Sequence, residues 1–267
     1  MKKLNQLLIG LTVCFFLYTA TAFTQNKAEE SSKPMYIVIT TAHWNSNPDT
    51  DFSDWKKTEE EYFNKVTKKN NSIVGSGVYT HYFSPDNSEV IFVSVYKNWE
   101  DIEKANEATA KLIEQGWPDE DARKVFFEKQ RSYYSPMHSD EIYTSLPYGK
   151  EVKTTSTEPL LFYVRKNTAG QGGKGYKEFF ENIILKNKYI KGYFTHRHGW
   201  GSDSRDAVEI GVYDNLGDIE LAFKENERLI NAYWPDEEKR KAFFKDFRKY
   251  FAGHGDAIYK NVPELDK

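Results

Sequence analysis

Apolar and polar positions along this chain follow one succession of periods and then follow it a second time. After residue 33 a β-rich run, Tyr36-Ile37-Val38-Ile39, is followed by a helical spacing that puts Phe52, Trp55, Tyr62, Phe63 and Val66 on one face. Two alternating runs come next, joined at Ser84-Pro85-Asp86-Asn87, a turn-forming tetrad. Asn98 then stands where a helix N-cap belongs, with Asp101 three residues on. The helix it opens carries Ile102, Ala105, Leu112 and Ile113 as its buried stripe. Trp117-Pro118 breaks that helix, a third helix carries Phe126-Phe127, and Ile142-Tyr143 marks a last strand.

The second pass reproduces these features residue by residue. Val95 to Ser135 and Val212 to Ala252 align without a gap at roughly half identity, with Trp-Pro-Asp-Glu, Arg-Lys and Phe-Phe in register. The match continues from His138 (HSDEIYTSLP) and His254 (HGDAIYKNVP). Upstream, Gly77-Val78-Tyr79-Thr80-His81 faces Gly192-Tyr193-Phe194-Thr195-His196, which makes the second hairpin two residues longer. Leu161-Phe162-Tyr163-Val164 opens the second copy, and Tyr176, Phe179, Phe180, Ile183 and Ile184 form its first helical face. The copies span residues 34–147 and 159–263, with a polar linker at 148–158.

Strand, helix, strand, strand, helix with an extra helix, strand is the ferredoxin-like order, an α+β arrangement with helices on one face of an antiparallel sheet. The other face needs a cover, and a second copy in the same chain supplies one. On the third strand Ile91, Val93 and Val95 alternate with Phe92 and Tyr96; in the second copy Val208, Ile210 and Val212 alternate with Glu209 and Tyr213. The aliphatic set is expected to face the helices and the mixed set the space between the sheets.

With its element order and its V-Y-x-N-x-x-D-I-E segments at Val95 and Val212, the chain resembles the dimeric α/β-barrel superfamily, which includes antibiotic-biosynthesis-monooxygenase-like, EthD-like and NIPSNAP-like proteins. The resemblance covers both copies. It implies two modules packed sheet to sheet around a cavity, here as an intramolecular pseudo-dimer. Its members include cofactor-free oxygenases and haem-handling enzymes, so it leaves the activity open and transfers no catalytic residue.

Before the first copy, Lys2 and Lys3 precede an apolar run from Leu7 to Tyr18 and a small-x-small site at Ala20-Thr21-Ala22. This reads as a cleavable signal peptide (1–22), too short to remain a membrane span, followed by a flexible polar leader (23–33) and implying a periplasmic or secreted protein. Cleavage removes Cys14, the single cysteine, which excludes disulfides, thiol nucleophiles and thiolate metal sites. A net charge of −3 gives no support to nucleic-acid binding. An aromatic content of 16% is enough to fill a large core or to line an apolar cavity.

By strand alternation the expected cavity lining is Phe92, Tyr96, Tyr163, Arg165, Glu209 and Tyr213, with Val38 and Thr40 beside them, and His196 completes the expected ligand-binding set. Arg165 and Glu209 are expected to be neighbours, either bridging each other or forming a polar handle in an aromatic pocket. On this reading the second copy carries the pocket chemistry. Six histidines remain in the mature chain; His196 and His198 share a side of one strand, and His196, His198 and His254 are the candidate metal or haem ligands. Zinc would need a third ligand that the spacing does not provide, so no metal is expected. Trp-Pro-Asp-Glu reads as helix punctuation, and Arg123 and Arg240 as cap partners. Gly170 to Gly175 lacks the Lys-Ser/Thr ending of a phosphate loop.

The expected function is binding of a small apolar or aromatic molecule between the repeats. The alternatives are a cofactor-free oxygenase or haem-handling enzyme using histidines, and an interaction protein acting through its outer helices. No resident cofactor is expected, with haem the one open possibility.

Overall fold

A computed structural model describes residues 33–45, 51–153 and 157–267. The expected signal peptide, and the leader up to residue 32, lie outside the described residues.

The first repeat runs β1 (Tyr36–Trp44), α1 (Phe52–Lys65), β2 (Gly75–Phe83), β3 (Glu89–Tyr96), α2 (Trp99–Gly116), α3 (Glu120–Ser132) and β4 (Tyr134–Ser145). The second runs β5 (Leu161–Ala169), α4 (Tyr176–Phe179), β6 (Gly192–Trp200), β7 (Asp206–Tyr213), α5 (Leu216–Tyr233), α6 (Glu237–Phe247) and β8 (Phe251–Asn261). Helix boundaries sit where the side chains cap them. Asn98 accepts from the Asp101 amide at 2.9 Å and Asn215 from the Asp218 amide at 3.0 Å. Asp119 and Asp236 cap α3 and α6, and Arg123 and Arg240 donate to the carbonyls of Trp117 and Trp234 at 3.0 and 2.8 Å. The shared Trp-Pro-Asp-Glu segments are therefore helix punctuation, as expected. α4 is one short turn that continues as a π-helical turn, Phe180–Ile184, where the first repeat has a regular 14-residue helix.

All strands are antiparallel. Within each repeat the first strand lies between the third and the fourth, giving the orders β2-β3-β1-β4 and β6-β7-β5-β8. Such a sheet leaves two edges bare, and bare edges recruit further strands. Here each edge is paired by the other repeat, β4 with β6 and β2 with β8, so the eight strands close into one barrel. The linker takes part: Lys150 and Tyr193 exchange backbone hydrogen bonds at 2.7 and 2.8 Å, which ties residue 150 to the start of β6.

The strand registers correct the alignment of the two copies. Gly75 lies opposite Val95, and Gly192 opposite Val212. The two hairpins are then equal in length, Tyr79 is the counterpart of His196, and His81 is the counterpart of His198. The Gly-x-x-x-His match is two residues out of this register, which pairing across the sheet and not local similarity sets.

The faces are also the reverse of the expected ones. Phe92 packs with Trp55, Phe63 and Val90 beneath α1; Tyr96 packs with Ile73 and Ala105 beneath α2; Tyr213 and Tyr163 pack with Phe180, Ile219 and Ala222 beneath the helices of the second repeat. The aliphatic set instead points inward, where Ile37, Ile39, Val93, Val95, Val164, Val208 and Ile210 form one cluster. The reason is geometric. A helix layer stands about 10 Å from a sheet, and large rings bridge that gap, whereas an eight-stranded barrel has a narrow interior suited to β-branched side chains. Completely buried Trp55, with its ring edge-on to Trp44 at 5.0 Å, anchors the outer layer of the first repeat.

Candidate functional site: the barrel lumen

The barrel encloses a cavity of about 780 Å³ to which all eight strands contribute. Most of its wall is apolar: Ile37, Ile39, Ile91, Val93, Phe162, Val164, Phe194 and Ile210. The expected space between the repeats is therefore present, enclosed by the opposite set of residues.

Polar groups occupy one strip of this wall. Ser145 lies opposite His196, and His196 opposite Val208. Further along, the Tyr143 hydroxyl donates to Glu141 at 2.9 Å and to Asp206 at 3.3 Å, while the Lys166 ammonium lies 2.8 Å from Asp206 and 3.3 Å from Glu141. A second tyrosine–carboxylate pair lies across the lumen, where the Tyr259 hydroxyl donates to Glu89 at 2.7 Å. The pairs are related by the repeat: each tyrosine sits on the fourth strand of one copy and each carboxylate at the start of the third strand of the other. Burial, with the adjacent carboxylates, holds both tyrosine hydroxyls well above their usual range.

His196 is the exception in this strip. It lines the cavity, and its Nδ1 is buried with no hydrogen-bond partner. Burial pushes its pKa down to about 4, so the ring is neutral at ordinary pH. A buried polar atom without a partner costs about 1–3 kcal/mol, and a ligand carrying a complementary group removes that cost. Of the expected ligand-binding residues His196 is the one in the lumen wall, and only the closure of the barrel isolates it there.

The other expected site residues lie outside the lumen. Phe92, Tyr96, Tyr163, Arg165, Glu209 and Tyr213 are all on the helix-facing side. Arg165 and Glu209 are directly opposite in the β5–β7 register but do not bridge. The Arg165 guanidinium turns to Asp256 at 3.3 Å, beside the Tyr163 hydroxyl. Glu209 instead accepts from the hydroxyls of Tyr176 and Tyr193 and from the Asn167 amide at 3.0 Å. Donors reached Glu209 from β6 and from the turn before it, so it had no need of a cation. His254 is exposed, 3.0 Å from Asp256, and is not brought near His196. His198 lies opposite Tyr143. Among the described residues no three His, Asp or Glu side chains converge as a metal site would require.

A second cavity, about 410 Å³, lies on the outer side of the first repeat between α1, α3 and the sheet. Buried Glu59 faces it, accepting from the Tyr134 hydroxyl at 2.8 Å and the Gln130 amide at 3.0 Å. Burial raises the Glu59 pKa; the two donors oppose that rise only in part. Glu59 falls four residues after Trp55 and four before Phe63, on the same helical face, but nothing in that period announces its partner, a tyrosine 75 residues away.

Haem, which the superfamily resemblance allows, fits neither cavity. Its two propionates would enter a lumen lined by the carboxyl groups of Glu89, Glu141 and Glu151, with Asp206 beside Tyr143. The ammonium of Lys166 is bound to two of them, and that of Lys267 donates to the Thr67 and Asn70 carbonyls. Among the described residues no lysine or arginine lines the outer cavity.

A closed barrel built from two ferredoxin-like modules is the dimeric α/β-barrel fold, here with both modules in one polypeptide. Solved structures agree. A proposed monooxygenase from Fusobacterium nucleatum subsp. nucleatum superposes with a TM-score of 0.54 at 11% identity, covering 86% of this chain and 93% of that one. A proposed monooxygenase from Lactobacillus acidophilus gives 0.50 at 7% identity, covering 86% and 94%. Chlorite dismutase from Candidatus Nitrospira defluvii gives 0.49 at 11%, covering 86% and 93%. At these identities the two likenesses with TM-scores of 0.54 and 0.50 speak for the fold alone. Neither a sequence-family profile nor a curated protein sequence matches the chain.

Proposed function

We propose that this is an exported binding protein for a small, largely apolar or aromatic molecule held in the barrel lumen. The observation that carries the reading is a cavity of about 780 Å³ with an aliphatic wall that includes one neutral histidine whose Nδ1 is buried and unpartnered. The wall takes the body of the ligand, and His196 takes its hydrogen-bonding group. The signal-like start supports export, and the mature chain then begins at Phe23; the N-terminal sequence of protein recovered from outside the cytoplasm checks this.

Thermal-shift and calorimetric titration with a panel of bicyclic aromatics tests the binding. Micromolar binding that is weakened at least tenfold by His196→Leu is the expected result. A panel that leaves both the melting temperature and the heat signal unchanged overturns the reading. Addition of haemin to the purified protein is expected to give no shifted Soret band.

One observation favours a second reading, that of a cofactor-free oxygenase. Glu59, buried beside Tyr134 in the outer cavity, is a carboxylate whose raised pKa suits it to take a proton. The two neighbours named as proposed monooxygenases are consistent with it. Oxygen uptake with electron-rich phenols, present in the native protein and lost in Glu59→Gln, would favour this reading; equal uptake in both proteins would remove it.

A further inference from the structure

We infer that the lumen selects its ligand by charge, accepting a neutral or cationic molecule and rejecting an anion. This rests on the lumen being the binding site. The charges around the space are unbalanced. Glu89, Glu141 and Glu151 line it, with Asp206 beside Tyr143 and Lys166, and among the described residues the lysines in its wall are Lys166 and Lys267. Lys166 lies within 3.3 Å of both Glu141 and Asp206, so its charge is already shared by two anions. Lys267 spends its ammonium on the carbonyls of Thr67 and Asn70. Among the described residues no arginine lines the cavity.

The tyrosine donors around the lumen are likewise committed. The hydroxyls of Tyr143 and Tyr259 point at carboxylates, whereas Ser145 Oγ accepts from the Met35 amide at 2.8 Å and keeps its own hydrogen, a neutral donor that does not offset the carboxylates. A carboxylate or phosphate entering this space would meet like charges across an apolar, poorly screening interior, with no free cation to receive it. His196 does not change this balance, because its ring is neutral and becomes a cation only in acid. A phenol, an alcohol or an amine meets the opposite situation. It has a proton to donate, an unpartnered imidazole nitrogen beside Val208, and carboxylate oxygens further along the same strip. Glu141 is the determinant most open to adjustment: it belongs to the first repeat and reaches Lys166 of the second, and Glu141→Gln leaves Lys166 and Asp206 as a neutral pair.

Three ligands with one ring system decide the matter: 2-naphthol, 2-naphthylmethylamine (a cation) and 2-naphthoate, each titrated at pH 7.5. The expected result is that naphthol and the amine bind at least tenfold tighter than naphthoate. In Glu141→Gln the gap between naphthol and naphthoate is expected to narrow at least threefold, with naphthol affinity little changed. Naphthoate binding as tightly as naphthol overturns the charge selection while leaving the lumen as the site. An unchanged gap in both Glu141→Gln and Glu89→Gln overturns it as well, because the discrimination would then come from shape. If none of the three binds, the lumen reading itself fails.

Discussion

Tyr79 and His196 occupy equivalent positions in the two repeats, opposite Ile91 and Val208, and the barrel treats them differently. The Tyr79 ring packs edge-on against Phe162 at 4.7 Å and folds back over Gly77, where a side chain would collide with its hydroxyl. In the second repeat Phe194 stands at the Gly77 position, and His196 lines the lumen with its Nδ1 buried and unpartnered. One copy has filled its half of the interior with its own aromatic ring. The other presents a polar atom that the protein leaves unsatisfied.

That difference makes His196 a stability liability of the empty protein. His196→Phe should raise unfolding free energy at pH 7.5 by about 1 kcal/mol, by removing an unsatisfied buried nitrogen. It should also change the pH profile. The native pKa of about 4 lies below the usual 6.5. The unfolded chain therefore binds the extra proton between those values, and stability falls as pH drops from 6.5 towards 4, by up to about 3 kcal/mol. Urea unfolding of both proteins from pH 7.5 to 4 should show a difference that widens in favour of His196→Phe across that window. A constant difference would mean the ring is hydrated.

The inversion of faces separates binding from stability. Val208→Trp projects into the lumen beside His196 and should abolish aromatic ligand binding while changing stability by less than about 2 kcal/mol. Tyr213→Ala removes a buried ring beneath α5 and should cost about 3–5 kcal/mol with ligand affinity unchanged. Chemical denaturation paired with calorimetric titration checks both. Loss of binding in Tyr213→Ala under conditions where it is folded would restore the outer face as the binding surface.

Glu59→Gln keeps acceptors for Tyr134 and Gln130 and removes a buried charge. The native pKa of Glu59 is raised, chiefly by burial, so the native protein loses stability as pH rises from the unfolded value of about 4.5 through the native one. The variant should therefore be more stable than the parent at pH 7.5 and show no advantage at pH 4, in urea unfolding at the two pH values.

Asn98→Ala and Asn215→Ala should each cost about 1 kcal/mol, because each removes the acceptor for a first-turn amide. The two sites lie in different repeats without shared partners, and the double variant should lose the sum of the two within about 0.5 kcal/mol. A cost well below that sum would reveal coupling between the repeats.

Much of the architecture was legible because it is local or repeated. Asn98, Asp119, Asn215 and Asp236 announce their helices through contacts made within a few residues, and the second copy shows that the pattern is no accident. The candidate site was far less legible. Ile91, Val93 and Val95 alternate with Phe92, Ser94 and Tyr96 whichever side faces inward, so periodicity identifies two faces without saying which is which. Arg165 and Glu209 were correctly placed as register neighbours, yet the partners they take, Asp256 and the Tyr176–Tyr193 pair, arrive from other strands and turns.

By itself, the order of residues determined two α+β modules, their capped helices and the need of each sheet for a cover. Those features follow from hydrogen bonds and periods that span a few residues. Tertiary structure alone decided that the sheet edges join into a closed barrel, that aliphatic side chains face its interior, and that His196 is isolated there. Each of these depends on groups far apart in the chain being brought to the same place, where curvature and burial, and no local preference, set what an atom can reach.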